Sequence, residues 1–183
     1  MTAAMADFEL PDTMKLHPPR RPVVSNVEFR AAMSAMASTV SLVTAWRGEE
    51  RIGRTVTSML SLSINPPTIL ISIDIMSRLA DLITKTGGFS LAMLADDQAD
   101  IADAFAGQVA PEDRFNLGSW SQWPSGHPML LDAVTALDCD MIGSIETGTH
   151  VLFAGAIIEA ETTTSRAPLL WQRHQYRGVS GVD

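Results

Sequence analysis

The chain has 183 residues, 46% hydrophobic and 19% charged, which suits one globular domain with a core of its own. A formal charge of -8 and a pI near 4.9 exclude a long phosphate-backbone ligand, because nucleic-acid binding needs dense Lys/Arg patches that release counterions. A single cysteine, Cys139, excludes an intrachain disulfide, and no apolar run approaches the roughly 20 residues of a membrane-spanning helix. The N-terminus lacks the basic and apolar regions of a secretory signal, so the expected location is the cytoplasm.

Residues 1–24 hold Pro11, Pro18, Pro19 and Pro22 among scattered charges, and are expected to form a flexible arm before a domain at 25–183. Ser25 and Glu28 make a capping box flanked by Val24 and Phe29, and a helix follows with Phe29, Ala32, Met33 and Met36 on one stripe that needs a partner surface. From Thr39 the pattern is β: Val40, Leu42 and Val43 lead to Trp46, and the polar turn at 47–50 joins a second strand.

The run at 54–63 alternates hydroxyl and apolar side chains and reads as one strand, ended by Asn65-Pro66-Pro67. Residues 68–75 are nearly all apolar, as in a strand buried on both faces. Ser77 caps a helix to Thr86, with Leu79, Leu82 and Ile83 inward and Gly87 closing it. A strand at 89–94 and an amphipathic helix at 97–106 precede a loop at 107–128, long enough to suspect function. Residues 134–145 and 151–161 read as an antiparallel pair, and 169–171 as a last strand. Strands adjacent in sequence with short helices between them point to a mainly β fold, an antiparallel barrel with peripheral helices.

His17, His127, His150 and His174 are dispersed and Cys139 has no paired ligand, so no metal is expected. Gly-x-Ser-x-Gly, Gly-x-Gly-x-x-Gly and P-loop motifs are all missing. A nucleotide would be held by other means. At Asp74, Ser77 and Arg78 a strand runs into a helix start, where N–H groups, a hydroxyl and a guanidinium make a phosphate site. Ser77 is equally an ordinary N-cap and Arg78 an ordinary surface charge. The hydroxyls of Thr55, Thr57, Ser58, Ser61 and Ser63 need partners, or else form a plain exposed sheet face.

From Phe29 to Tyr176 the chain resembles the flavin reductase-like family, the reductase components of two-component flavin monooxygenases. The resemblance lies in the order of Phe29-Arg30-x-Ala32-Met33, Gly53-x-Thr55-Val56-Thr57-Ser58-x-x-Ser61-x-Ser63, Asn65-Pro66-Pro67, Asp74-x-x-Ser77-Arg78, Phe89-x-x-x-x-Leu94-Ala95-x-Asp97-Gln98, Phe105-Ala106-Gly107, Arg114-Phe115 and Gly148-x-His150. It implies an antiparallel split β-barrel of the FMN-binding type and a homodimer with flavin near the interface. It also implies hydride transfer from NADH or NADPH to FMN or FAD, serving a partner monooxygenase. By the same resemblance, Thr55, Val56, Thr57 and Ser58 run beside the flavin, Asp74, Ser77 and Arg78 form the phosphate turn, Phe89 lies near the ring, and His150 meets the nicotinamide nucleotide; Arg54, where the family more often has an apolar residue, is a candidate that faces either the flavin or solvent. Thr149 stands where the motif has Asp, Thr57 for Ser, Met59 for an aromatic, Leu79 for Thr, and Ala92 for Asn. Thr149 leaves room for a second role of His150, a structural hydrogen bond at the barrel mouth. It also leaves room for a flavin-binding protein without turnover, or for a pyridoxamine-phosphate oxidase-like enzyme. Arg114 and Phe115 are expected to anchor the loop, and Trp120, Trp123 and Trp171 to pack.

Overall fold

The computed structural model describes residues 18–179, so most of the expected arm at 1–24 lies outside the described residues. Residues 18–24 are exposed and carry no regular structure. Helix α1 (Asn26–Ser34) starts on the capping box: Ser25 Oγ accepts from the Glu28 N–H at 3.2 Å, and Glu28 Oε2 accepts from the Ser25 N–H at 2.9 Å. Its apolar stripe has no partner within the described residues, with Phe29 56% and Met33 47% exposed. The short strand β1 (Ser38–Thr39) is followed by the expected hairpin of β2 (Ser41–Arg47) and β3 (Glu50–Val56), closing at Arg47 opposite Glu50.

The hydroxyl-rich run at 54–63 is not one strand. It is split at Thr57-Ser58 between β3 and β4 (Met59–Ile64), and β4 turns back onto β5 (Pro67–Asp74). Helix α2 (Arg78–Thr86) is capped at Ser77, whose Oγ accepts from the Leu79 N–H at 3.1 Å, and closed by Gly87 at φ 73°, a left-handed turn that favours glycine. After β6 (Gly88–Met93) comes α3 (Ala99–Asp103), which starts later than the sequence pattern suggests and widens into a π-helical turn at Ala104–Gln108.

The segment at 107–128 is no irregular loop. It contains a 3-10 turn at Arg114–Asn116 and strand β7 (Trp120–Gln122), which pairs with β8 (Pro128–Leu130). Its ordering comes from aromatic packing: Phe115 meets Phe105 edge-on at 5.0 Å and Trp120 at 4.9 Å between ring centroids. Long strands β9 (Thr135–Glu146) and β10 (His150–Thr162) form the expected pair, and the last expected strand is a hairpin, β11 (Leu170–Gln172) with β12 (Gln175–Arg177).

The fold is mainly β and antiparallel, with a seven-stranded sheet ordered β3-β2-β6-β9-β10-β5-β4 and a small sheet β1-β11-β12. This order explains the break at 57–58. Strands β3 and β4 are the two edges of one sheet, and the two-residue step between them brings the edges together, with the Ser58 carbonyl accepting from the Ser72 N–H at 3.0 Å. One core, with Val43, Ile71, Phe89, Leu91 and Phe153, is filled by Leu79, Leu82 and Ile83 of α2; a second, with Leu42, Leu94, Ile101 and Phe105, lies across the sheet. Adjacent residues of β2 and β6 therefore serve opposite cores. Strands β2 and β6, not β5, are buried on both faces: Ile69, Ile71 and Ile73 of β5 are buried, whereas Leu70 and Ser72 are half-buried.

Candidate functional site

Two cavities meet at the junction of β3, β5 and α2. The smaller, about 240 Å³, is lined by Arg54, Thr55, Val56, Thr57, Ser58, Ser72, Ile73, Asp74 and His150. The larger, about 720 Å³, lies between β3, the turn at 76–79 and the segment at 111–115, and includes Ser77 and Arg78. The structure thus brings seven of the sequence-derived candidates to one cleft and two to its neighbour, with Arg54 in both. Phe89 is in neither: its side chain is 0% exposed and packs in the first core against Gly155, where an added Cβ would lie 2.6 Å from Phe89 Cζ.

The local chemistry of each candidate follows from its place in the fold. Strand β3 is an edge, with β2 as its single strand partner, so the outer side of its backbone has no ladder to pair with. Alternation puts Ile52, Arg54 and Val56 on the face toward the first core, and Arg51, Gly53 and Thr55 toward the second. The Thr55 hydroxyl is spent inside the fold, donating to the Ala102 carbonyl at 2.6 Å. Thr57 and Ser58 make no side-chain hydrogen bond among the described residues, so their hydroxyls remain available to a ligand.

Asp74 organises the turn. Its Oδ1 accepts from the Met76 N–H at 2.8 Å, while the Ile75 N–H donates to the Thr149 carbonyl at 3.1 Å and ties the β9–β10 turn to the same corner. His150 pairs with Asp74 across the β10–β5 ladder, and its Nδ1 lies 2.9 Å from the Thr149 hydroxyl. Arg78 is exposed and paired with Glu50 at 2.6 Å, a surface ion pair of small net strength that an anionic ligand can displace.

Arg114 Nε donates to the Val109 carbonyl at 3.0 Å and Phe115 is buried in the second core, so both anchor the segment as expected. Arg51 stacks over Phe115 with Cζ 4.5 Å from the ring centroid. The three tryptophans are packing residues: Trp123 is buried with its indole N–H on Ser90 Oγ at 3.0 Å, Trp120 bonds the Leu117 carbonyl, and Trp171 packs against Tyr176.

Sequence reasoning missed Ser72 and Glu50. Ser72 was within reach, since it precedes Asp74 by two residues on a strand and must share its face. Glu50 carried no signal, because nothing local says that a turn residue will meet Arg78.

Away from the clefts, His127 and Asp138 are buried, and the exposed Ser125 reaches in, its Oγ donating to Asp138 at 2.8 Å. Burial lowers the His127 pKa and raises that of Asp138, and it pushes the Cys139 thiol up to about 12, which leaves it a neutral, inert core residue. Among the described residues no group of three or more His, Cys, Asp or Glu side chains is placed to hold a metal ion.

The cleft therefore offers backbone donors from an edge strand, two available hydroxyls, an apolar wall of Val56 and Ile73, and cations at Arg54 and Arg78. That donor set fits a flat heteroaromatic ring carrying a phosphate.

The reductase component of FADH(2)-dependent resorcinol hydroxylase from Rhizobium sp. (strain MTP-10005) is 34% identical over 154 residues, covering 83% of this chain and 86% of that protein. The FMN reductase (NADH) RutF of Ancylobacter novellus is 31% identical over 164 residues, covering 89% and 90%. The solved structure of the Streptomyces globisporus C-1027 NADH:FAD oxidoreductase SgcE6 superimposes with a TM-score of 0.80 at 28% identity, over 90% of this chain and 100% of that one. Residues 33–180 match the family described as flavin reductase like domain, and the chain belongs to that family.

Proposed function

We propose that the chain is a flavin reductase that transfers hydride from NADH or NADPH to FMN, or to FAD, and supplies reduced flavin to a partner monooxygenase. The observation that carries this reading is the cleft at the β3–β4 step, where Thr57, Ser58, Ser72 and His150 converge beside the Ser77-Arg78 turn. The names of the relatives support it: the Rhizobium protein is a reductase component, RutF is named for FMN and NADH, and SgcE6 for NADH and FAD.

Bound flavin would supply the redox chemistry, as acceptor of the hydride that reduced nicotinamide carries. The chain's own residues bind and orient. Backbone groups along Arg54, Thr55 and Val56, with the Thr57 and Ser58 hydroxyls, would donate to the electron-rich edge of a bound ring and so stabilise negative charge there. Ser77 and Arg78 receive the phosphate at the start of α2, once Arg78 exchanges Glu50 for the ligand. Asp74 holds the turn that carries them. His150 offers Nε2 to the nicotinamide nucleotide at the cleft mouth, and Phe89 supports the site only through the core. Val56 and Ile73 exclude water from one wall.

The reading includes a homodimer of split-barrel subunits in the cytoplasm. Its support is the apolar side chains left uncovered on α1 and on β4, with Val27 78% and Phe29 56% exposed on the helix and Leu62 50% and Ile64 91% on the strand. No helix among the described residues is long and apolar enough to cross a membrane.

The direct test mixes purified protein with FMN or FAD and NADH or NADPH under anaerobic conditions and follows bleaching of the flavin absorbance. Bleaching well above a protein-free control is expected; equal rates overturn the proposal. Light scattering across a dilution series checks the dimer, and a monomer mass at every concentration would remove that part.

A further inference from the structure

Four arginines line the larger cavity, Arg51, Arg54, Arg78 and Arg114, with three glutamates, Glu49, Glu50 and Glu112. Three of the cations already have an occupation within the fold. Arg51 lies over Phe115, Arg78 is paired with Glu50, and Arg114 donates to the Val109 carbonyl. Arg54 alone makes no side-chain hydrogen bond or ion pair among the described residues. It is exposed although its strand face carries Ile52 and Val56 against the first core, and it is the one residue shared by both cavities.

An unpaired guanidinium at the joint of two clefts is a fork for an anion that passes from one to the other. Size points the same way. Ligand pockets usually measure about 300–1,000 Å³. The smaller cleft, at about 240 Å³, falls below that range, and the larger, at about 720 Å³, falls within it. One extended ligand laid through both uses the space that a mononucleotide leaves empty.

We propose that Arg54 is a specificity residue that binds the diphosphate of a dinucleotide running from the smaller cleft into the larger cavity. It thereby makes the chain distinguish dinucleotide from mononucleotide ligands. This deepens the flavin-site reading above and rests on it. The shared chemistry is a bridging diphosphate, carried by the dinucleotide flavin or by the nicotinamide dinucleotide, and the two sources separate in the experiment.

The test uses the full chain and Arg54→Gln, with Arg54→Lys as the conservative variant and the melting transition as a check on folding. Arg54 is exposed, so the transition is expected to stay in place. Equilibrium binding is read by quenching of flavin fluorescence, with FAD and FMN titrated separately, and the KM for NADH is measured with FMN as acceptor. If the flavin carries the diphosphate, Arg54→Gln weakens FAD roughly tenfold and FMN less than about twofold. If the nicotinamide nucleotide carries it, FMN and FAD binding hold while the KM for NADH rises roughly tenfold. In either case Arg54→Lys recovers only part of the loss, because it keeps the charge without the planar fork. Equal losses of FMN and FAD, or no change with any dinucleotide, overturn the proposal. Wild-type protein that binds flavin without oxidising NADH removes the reductase reading while the FAD and FMN titrations still decide the role of Arg54. Wild-type protein that binds no flavin overturns both.

Discussion

The Thr149 hydroxyl meets His150 Nδ1 at 2.9 Å, so the residue that replaces an acidic neighbour still holds the imidazole by one ring nitrogen. That bond fixes the ring and leaves Nε2 as the nitrogen available to a ligand. His150→Ala is expected to lower kcat/KM for NADH by roughly tenfold to a hundredfold while changing flavin binding less than about twofold. Thr149→Val removes a single hydrogen bond worth about 1 kcal/mol and is expected to cost roughly fivefold in the same parameter. Steady-state kinetics with NADH varied at saturating FMN checks both. A loss confined to flavin binding would give His150 a different place in the site.

What the sequence made legible was local. The Ser25–Glu28 capping box, the Ser77 cap, the Gly87 stop and the Arg47-to-Glu50 turn all depend on residues within a few positions of each other, and each stands where its chemistry puts it. The step at Thr57-Ser58 was not legible, because the alternating pattern runs through it unbroken. Only the sheet order, with β3 and β4 on opposite edges, forces the chain to change ladders there. The same limit applies to side-chain roles. Thr55 looked equivalent to Thr57, yet its hydroxyl meets the Ala102 carbonyl 47 positions away, and Arg78 meets Glu50 across 28. Phe89 sat at a position expected near the ring, but the face its strand presents there belongs to the core.

Gly53 has no room for a side chain. A Cβ there would lie 2.6 Å from Phe105 Cε1 and 3.0 Å from Thr44 Cγ2, so the ring of Phe105 lies directly against the backbone of the strand that borders both cavities. Gly53→Ala is expected to destabilise the fold by about 1–3 kcal/mol through overpacking. It should also weaken flavin binding by displacing β3. Pairing it with Phe105→Leu should recover part of the stability. Urea unfolding of the two single variants and the double variant measures the coupling, and strictly additive losses would show that the contact is not the cause.

Trp123 is a structural residue with a polar obligation. Its indole N–H donates to Ser90 Oγ at 3.0 Å, and both residues are buried. Ser90→Ala leaves that donor without a partner and is expected to cost about 1–3 kcal/mol. The pair lines neither cavity, so the flavin dissociation constant should stay within about twofold of the wild type. Thermal unfolding together with a flavin titration separates the two effects.

His127 makes the fold sensitive to acid. Its Nδ1 accepts from the Trp46 N–H at 3.3 Å, which requires the neutral ring, and burial holds its pKa below the ordinary 6.5 despite the opposing pull of Asp138 and Asp140. In the window below 6.5 the unfolded chain therefore binds a proton that the folded chain refuses. The contribution of His127 is fully present above 6.5 and is lost as pH falls from there to the lowered folded value. Asp138 acts in the opposite sense and lower down. Burial raises its pKa above 3.8, so the folded chain takes up that proton first, and stability is regained as pH falls toward 3.8. The urea midpoint of the wild type is expected to fall between about pH 7.5 and about pH 5.5. His127→Gln retains a side-chain acceptor for the Trp46 N–H but cannot titrate. It should be less stable at neutral pH because a packed ring is lost, with a flatter midpoint over the same interval. Identical slopes for the two proteins would assign the acid sensitivity to other groups.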